Sequence, residues 1–123
     1  MIEICDTYSG GFYPMTKTDK WQVAYITHSD SYGEPRELKR HMTTDEAMIL
    51  IRGAAELYTY ENDKVICMKM KNGVLYNIKC ATWHHLKISE DALLIVVEDS
   101  NIKKESTERM TLYADCGIYK TKG

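Results

Sequence analysis

Short runs of alternating apolar and polar residues recur along the chain, and turn-forming residues separate them. The first clear run covers residues 21–28, where Trp21, Val23 and Tyr25 occupy every second position, which is the two-residue period of a β-strand. Comparable runs predict further strands at residues 56–61, 65–71, 74–79, 83–88 and 92–98. The last of these is almost continuously apolar, which is typical of a strand buried on both faces. Many short strands joined by close turns predict an all-β sandwich or barrel.

Turn signals lie between these runs. Residues 29–35 are rich in turn formers, and Asn62-Asp63 predicts a second turn. Asn72-Gly73 is the strongest hairpin signal in the chain, because both residue types tolerate a positive φ. The sequence therefore predicts a tight hairpin at this dipeptide.

The two ends of the chain differ from the middle. Residues 1–20 contain Gly10-Gly11 and Pro14 and predict an irregular arm with at most a short strand. Residues 100–123 are polar at first and then carry three large apolar side chains, Met110, Leu112 and Tyr113. We expect this tail to pack back on the strands.

One segment allows two interpretations. Thr43-Thr44-Asp45-Glu46 resembles a helix capping box before an apolar run, and local rules then predict a helix over residues 44–57. Gly53 weakens that helix by about 1 kcal/mol relative to alanine. The same Ile-Leu-Ile cluster, residues 49–51, also suits a buried strand.

Composition and charge restrict the class of protein. The 123 residues are enough for one domain with a real core, and 44% are hydrophobic. The net charge is −2 and the basic residues are scattered, so we expect no nucleic-acid partner. No apolar run is long enough for a membrane span, and the start lacks the layout of a signal peptide. The sequence thus predicts a cytoplasmic protein without a membrane partner.

The four cysteines are Cys5, Cys67, Cys80 and Cys116, and no two form a CxxC pair. Free thiols are the favoured interpretation in the cytosol. A disulfide framework and a cysteine zinc site are the alternatives.

A spaced motif covers residues 33–53. Gly33 is followed after five residues by Lys39, then at set intervals by His41, Glu46 and Gly53. This spacing resembles the first motif of the cupin superfamily, which is Gly, five residues, His, one residue, His, three or four residues, Glu, six residues, Gly. Every position matches except the first histidine, which is Lys39 here.

A second motif follows at the expected distance. Gly73 and His84 stand in register with the second cupin motif, although its proline, second glycine and asparagine are absent. The string Cys-Ala-Thr-Trp-His-His at residues 80–85 is similar to the proline-glycine-x-Trp-His turn of many small cupins. The chain resembles small single-domain bacterial cupins and, to a lesser degree, ureidoglycolate lyases.

The resemblance implies a fold and a domain organisation. The fold would be all-β, a cupin double-stranded β-helix (jelly-roll) barrel, in which residues 46–51 form a strand and Gly53 lies in the turn after it. The single cupin domain, residues 1–123, would comprise an N-terminal arm (1–20), a barrel (21–99) and a C-terminal tail (100–123). Cupins usually dimerise, so the resemblance also implies a homodimer.

The resemblance further implies a site around His41, Glu46 and His84. In metal-binding cupins the matching residues hold one divalent ion, and imidazole with carboxylate suits Fe, Mn, Ni, Zn or Cu. Lys39 would share the inward face with His41, because side chains alternate along a strand. Two interpretations remain open: a three-ligand metal site, or a metal-free pocket with a Lys39–Glu46 ion pair.

The two adjacent histidines in the strand predicted at residues 83–88 must point to opposite faces, because even and odd positions alternate across a strand. Leu86 and Ile88 share a strand face with His84, whereas Lys87 shares a face with His85. The apolar face is the inner one, so we expect His84 inside, and His85 outside or at the rim in a structural or interface role.

Three functions are compatible with this site. The first is an enzyme of lyase, isomerase or oxygenase type that acts on a small anionic metabolite, bound by Lys39, His41, Glu46 and His84, with Glu46 as the candidate catalytic residue. The second is a non-catalytic, metal-free protein that binds or senses a metabolite. The third is a scaffold for a partner protein, since fold does not imply function.

Overall fold

The computed structural model describes residues 1–113 and 118–121, and it confirms the all-β prediction. Within these ranges eleven strands and two short 3₁₀ helices, Asp30–Tyr32 and Lys104–Ser106, make up the regular structure. The strands are β1 Gly11–Lys17, β2 Trp21–Thr27, β3 Glu37–His41, β4 Glu46–Arg52, β5 Ala55–Glu61, β6 Lys64–Lys69, β7 Leu75–Ile78, β8 His84–Ile88, β9 Leu93–Asp99, β10 Thr107–Thr111 and β11 Ile118–Thr121. No helix among the described residues has the length and apolar character to cross a membrane.

The strands form two sheets that face each other. One has five strands in the order β1-β2-β9-β4-β7, and the other has six in the order β10-β3-β8-β5-β6-β11. Neighbours are antiparallel except for β11, which runs parallel to β6. Apolar side chains from both inner faces meet in one core, including Met48, Leu50, Leu57, Leu86, Leu94 and Val96. This buried layer supplies the main hydrophobic stabilisation of the fold.

The ambiguous segment is a strand and not a helix. β4 covers Glu46–Arg52, as the motif spacing predicts and the capping-box pattern does not. The Asp45 carboxylate, which would support a helix start, instead accepts a hydrogen bond of 2.8 Å from the Cys80 backbone N–H and one of 3.1 Å from the Asn77 amide. Tertiary contacts therefore override the local helix signal.

The predicted hairpin at Asn72-Gly73 is wrong. β6 and β7 on either side of it belong to different sheets, and the Gly73 N–H donates to the Leu50 carbonyl. The tight hairpin is at Asn62-Asp63, which joins β5 to β6 with positive φ at both residues. A dipeptide that permits a turn does not by itself determine whether the flanking strands pair.

Both ends of the chain contribute strands. The arm holds the seven-residue β1 at the edge of the five-stranded sheet, which exceeds the predicted short strand, and its register shifts between Pro14 and Thr16. An edge strand tolerates proline because no partner needs its missing N–H. The tail pairs through β10 with β3, and Met110 and Leu112 pack on an outer apolar cluster. Tyr113 is exposed.

Cys5 and Cys80 are free thiols in the structure, as expected. Cys67 is buried, Cys5 is half-buried and Cys80 is exposed. Cys116 lies outside the described residues.

Candidate functional site

A cavity of about 310 Å³ opens between the inner faces of the two sheets. Polar side chains from β2, β3, β4, β8 and β9 line it, together with apolar side chains that include Phe12, Tyr32, Met48 and Ile102. The cavity thus offers both charged groups and apolar surface to a ligand.

His41, Glu46 and His84 meet in this cavity. His41 is the last residue of β3, Glu46 the first of β4 and His84 the first of β8, so three strand ends bring them together. One ligand atom of each lies within 4.8 Å of those of the other two. The Glu46 carboxylate is 3.2 Å from His41 Nε2 and 3.7 Å from His84 Nε2.

The outer nitrogens of both rings are fixed by hydrogen bonds. His84 Nδ1 lies 2.9 Å from the Thr82 carbonyl oxygen, which only accepts, so Nδ1 carries the hydrogen. His41 Nδ1 lies 3.0 Å from Thr107 Oγ1, and that hydroxyl donates to the Lys103 carbonyl. In the neutral rings, Nε2 then presents a lone pair to the cavity, which is the arrangement of metal-binding histidines.

The surroundings of Glu46 and His84 favour the ionisation states in which these two residues bind a metal ion. Burial acts to raise the pKa of Glu46. A hydrogen bond from His41, formed when its Nε2 carries a hydrogen, and the positive charges of His84, His41 and Lys39 outweigh burial and lower that pKa. Burial lowers the pKa of His84. A carboxylate and a neutral imidazole are the forms that ligate divalent cations.

Lys39 lines the same cavity, directly opposite His84 in the β3–β8 register. Among the described residues, no Lys39 nitrogen lies within 4 Å of a Glu46 oxygen, so the direct Lys39–Glu46 ion pair of the metal-free interpretation is not formed. The two histidines contact that carboxylate instead. Lys39 acts on Glu46 at longer range, through its charge.

The His85 side chain is buried and held by contacts with Tyr58 and Gly33. The side chain is 9% exposed, lies near Tyr58 with ring centroids 5.9 Å apart, and places Nε2 2.8 Å from the Gly33 carbonyl oxygen. Gly33 follows the 3₁₀ helix that carries Tyr32. His85 therefore anchors the loop that forms one rim of the cavity.

Sequence reasoning missed Glu98, a second buried carboxyl in the cavity. Glu98 is 7% exposed and stands directly opposite Glu46 in the β4–β9 register. Burial, and then the charge of Glu46, raises the pKa of Glu98 to about 7. No motif includes this residue, but its parity with the fully buried Leu94 and Val96 is a signal that it faces inward.

Glu98→Gln should change the pH dependence of stability in the metal-free protein. The pKa of this acid rises from about 4.5 to about 7 on folding. Below pH 4.5 the acid therefore does not lower the free energy of unfolding, and between pH 4.5 and pH 7 it lowers that free energy progressively. Glutamine cannot ionise, so the variant should be more stable than wild type at pH 8, by on the order of 1–3 kcal/mol, and equally stable at pH 4.5. Urea unfolding at both pH values measures this difference.

The exposed Glu90 provides the control for that experiment, because Glu90→Gln should leave stability unchanged at both pH values. A Glu98→Gln variant that is less stable than wild type at pH 8 would contradict the predicted sign.

No family model and no curated protein matches the sequence. Several solved structures do match this chain. Pac13 from Streptomyces, described as a nucleoside dehydratase, is 9% identical with a TM-score of 0.62 over 89% of this chain and 95% of that one. The 3,4-ketoisomerase QdtA from Thermoanaerobacterium thermosaccharolyticum is 17% identical, with a TM-score of 0.58 over 70% and 63%. A cupin-2 domain protein from Shewanella frigidimarina is 18% identical, with a TM-score of 0.53 over 74% and 82%. At these identities the likeness concerns the fold alone.

Proposed function

Because the chain has the cupin fold that its two motifs predict, we propose that it binds one divalent metal ion and acts on a small anionic metabolite in the barrel cavity. His41, Glu46 and His84 would hold the ion. The observation that carries this proposal is the convergence of their three ligand atoms within 4.8 Å in a buried site.

The donor set fits a metal ion. Two imidazole nitrogens and one carboxylate suit Fe, Mn, Ni, Zn or Cu, and three protein ligands leave coordination positions for the metabolite. The ion, when bound, supplies Lewis acidity at an oxygen of the ligand. The hydrogen bonds at both Nδ1 atoms keep the rings oriented for this role.

Lys39 supports an anionic ligand. Its side chain lines the cavity, opposite His84 in the β3–β8 register, and within the described part of the chain its ammonium has no carboxylate within 4 Å. A cation in a cavity of low dielectric attracts an anionic group more strongly than one in water. Lys39 would therefore bind and orient the anionic end of the metabolite.

The reaction class is lyase, isomerase or oxygenase. Two proteins of the same fold support the first two classes: Pac13 is described as a dehydratase and was solved with uridine, and QdtA is a ketoisomerase solved with TDP-4-keto-6-deoxyglucose. Both act on small molecules. We further propose a single domain that works as a homodimer in the cytoplasm.

A metal-free protein that binds or senses a metabolite is the second candidate. One observation favours it: Lys39 stands where the motif has its first histidine, and its charge opposes a nearby cation. In this case Glu46, held by His41 and His84, would be the proton acceptor or a hydrogen-bond acceptor for the ligand.

A ligand screen tests the proposal. We expect at least one class of small carboxylates or phosphates to raise the melting temperature by several degrees when Mn²⁺, Zn²⁺ or Fe²⁺ is present, since binding to the native state alone stabilises it. Incubation of the hits, followed by mass spectrometry of the products, tests turnover. Binding that is independent of metal and without turnover would support the second candidate, and no anion binding at all would contradict both.

A further inference from the structure

A row of three polar side chains crosses the inner face of the five-stranded sheet. Glu98 on β9 is in register with Gln22 on β2 and with Glu46 on β4, and all three line the cavity. In-register neighbours on one face of a sheet have Cβ atoms about 4.5–5.5 Å apart. Glu98 therefore continues the row of polar side chains from Glu46, at the candidate metal site, to Gln22 on β2.

Stability does not explain a carboxyl at this place. Glu98 is 7% exposed, and in the described part of the chain no cationic nitrogen lies within 4 Å of it. A buried carboxyl without a paired cation is costly, and a second carboxyl beside it adds to that cost. Within the protein, a hydrogen bond with Gln22 and the charges of His41 and Lys39 offset only part of this cost. Costly buried groups of this kind concentrate at functional sites.

The side chains of Glu98 and Gln22 favour one kind of ligand group. A carboxyl oxygen accepts a hydrogen bond from a hydroxyl, and the Gln22 amide can both donate and accept. A second anionic group of the ligand would be repelled here by Glu46 and Glu98. The anionic end therefore belongs near Lys39 and the metal site, and the end towards Gln22 should carry a hydroxyl.

The size of the cavity limits the ligand further. A volume of about 310 Å³ lies at the lower end of the range for small-molecule sites, about 300–1,000 Å³. This space suits a small metabolite such as a hydroxylated carboxylic acid of three to five carbons.

We propose that Glu98 and Gln22 form a hydroxyl-binding subsite, and that the ligand of the cavity is a small hydroxy acid. This inference rests on the proposed function, because it assumes that an anion binds near Lys39 and the metal site. Glu98 is then the residue that distinguishes a hydroxy acid from the acid that lacks the hydroxyl.

Matched pairs of monocarboxylic acids test the subsite: lactate with propionate, 3-hydroxybutyrate with butyrate, and 2-hydroxyvalerate with valerate. Titration calorimetry on the Mn²⁺-loaded protein should give at least one pair in which the hydroxylated acid binds about 10-fold tighter or more, since a site built for a hydroxyl rejects the analogue without it. In Glu98→Ala that ratio should fall to about 2-fold or less, while the affinity for the unhydroxylated acid is kept or improved.

Two further variants complete the test. Gln22→Ala, at the other end of the subsite, should also reduce the ratio, and it gives a second result if Glu98→Ala does not fold. Glu90→Ala, on the surface, should leave the ratio unchanged. Equal binding of both acids in every pair, or a ratio that survives both cavity variants, would overturn the subsite but not the proposed function. Failure of all six acids to bind would count against anion binding itself.

Discussion

His84→Ala, purified without chelator, should contain less than a tenth of the metal found in wild type, which should hold about one divalent ion per chain. His84 contributes one of three ligand atoms within 4.8 Å of one another. Changes that only disturb the support of a ligand cost about 10–100-fold in metal affinity, so loss of the ligand itself should cost at least about 100-fold. Elemental analysis by mass spectrometry measures the metal content, and competition with a chromogenic chelator measures the affinity.

His28→Ala is the matched control, because His28 is exposed after the end of β2 and does not line the cavity. It should retain wild-type metal content. A wild-type protein without metal, even after incubation with each of Fe, Mn, Ni, Zn and Cu, would contradict the three-ligand site and favour the metal-free alternative. Equal metal content in His84→Ala and wild type would exclude His84 as a ligand.

Gly53→Ala should destabilise the protein by about 2–5 kcal/mol. Gly53 has φ +78, and an added Cβ would lie 2.6 Å from Ala92 Cα and 2.8 Å from the Ala92 nitrogen. Both atoms belong to backbone, which cannot move aside as a flexible side chain can. The loss in the free energy of unfolding has two parts. Placing alanine in the left-handed conformation costs about 1–2 kcal/mol, and overpacking against Ala92 costs about 1–3 kcal/mol. Urea unfolding of the metal-free protein measures the change in the free energy of unfolding.

Gly73→Ala separates the two causes. Gly73 also has φ +78, but no atom lies within 4 Å of its added Cβ. Gly73→Ala should therefore lower the free energy of unfolding by only about 1–2 kcal/mol. Equal losses at the two glycines would show that contact with Ala92 is unimportant, and would leave the last glycine of the first motif without its packing explanation.

Alternation and motif spacing predicted most of the fold. The runs that contain β2 and β5–β8 were recognised because each sheet has one apolar inner face, which imposes a period of two on the sequence. The almost continuously apolar run predicted β9, but the expected burial of both its faces is wrong, since Val97 is 43% exposed. Motif spacing decided that β4 is a strand, where local propensity favoured a helix. The strand pairing around Asn72-Gly73 could not be predicted, because the choice of sheet depends on partners distant in sequence.

The site was predicted in part. His41, Glu46 and His84 were found through their spacing, and the structure brings them together, while their roles stay predictions. The Lys39–Glu46 ion pair was not predictable either way, because its formation depends on how close the two histidines come to the carboxylate. Glu98 was missed because it ends an apolar run and belongs to no motif, so only the parity of its strand points inward.

Asp45 and the backbone beside it tie together the segments that carry the three candidate ligands. Its carboxylate holds the Cys80 N–H before β8, and the next residue, Ala81, donates to the His41 carbonyl at 2.8 Å. Glu46 follows Asp45 directly. The geometry is thus preorganised, with its conformational entropy already lost during folding. Uptake of an ion should consequently leave the far-ultraviolet circular dichroism spectrum unchanged, and the protein should keep its fold when the ion is released.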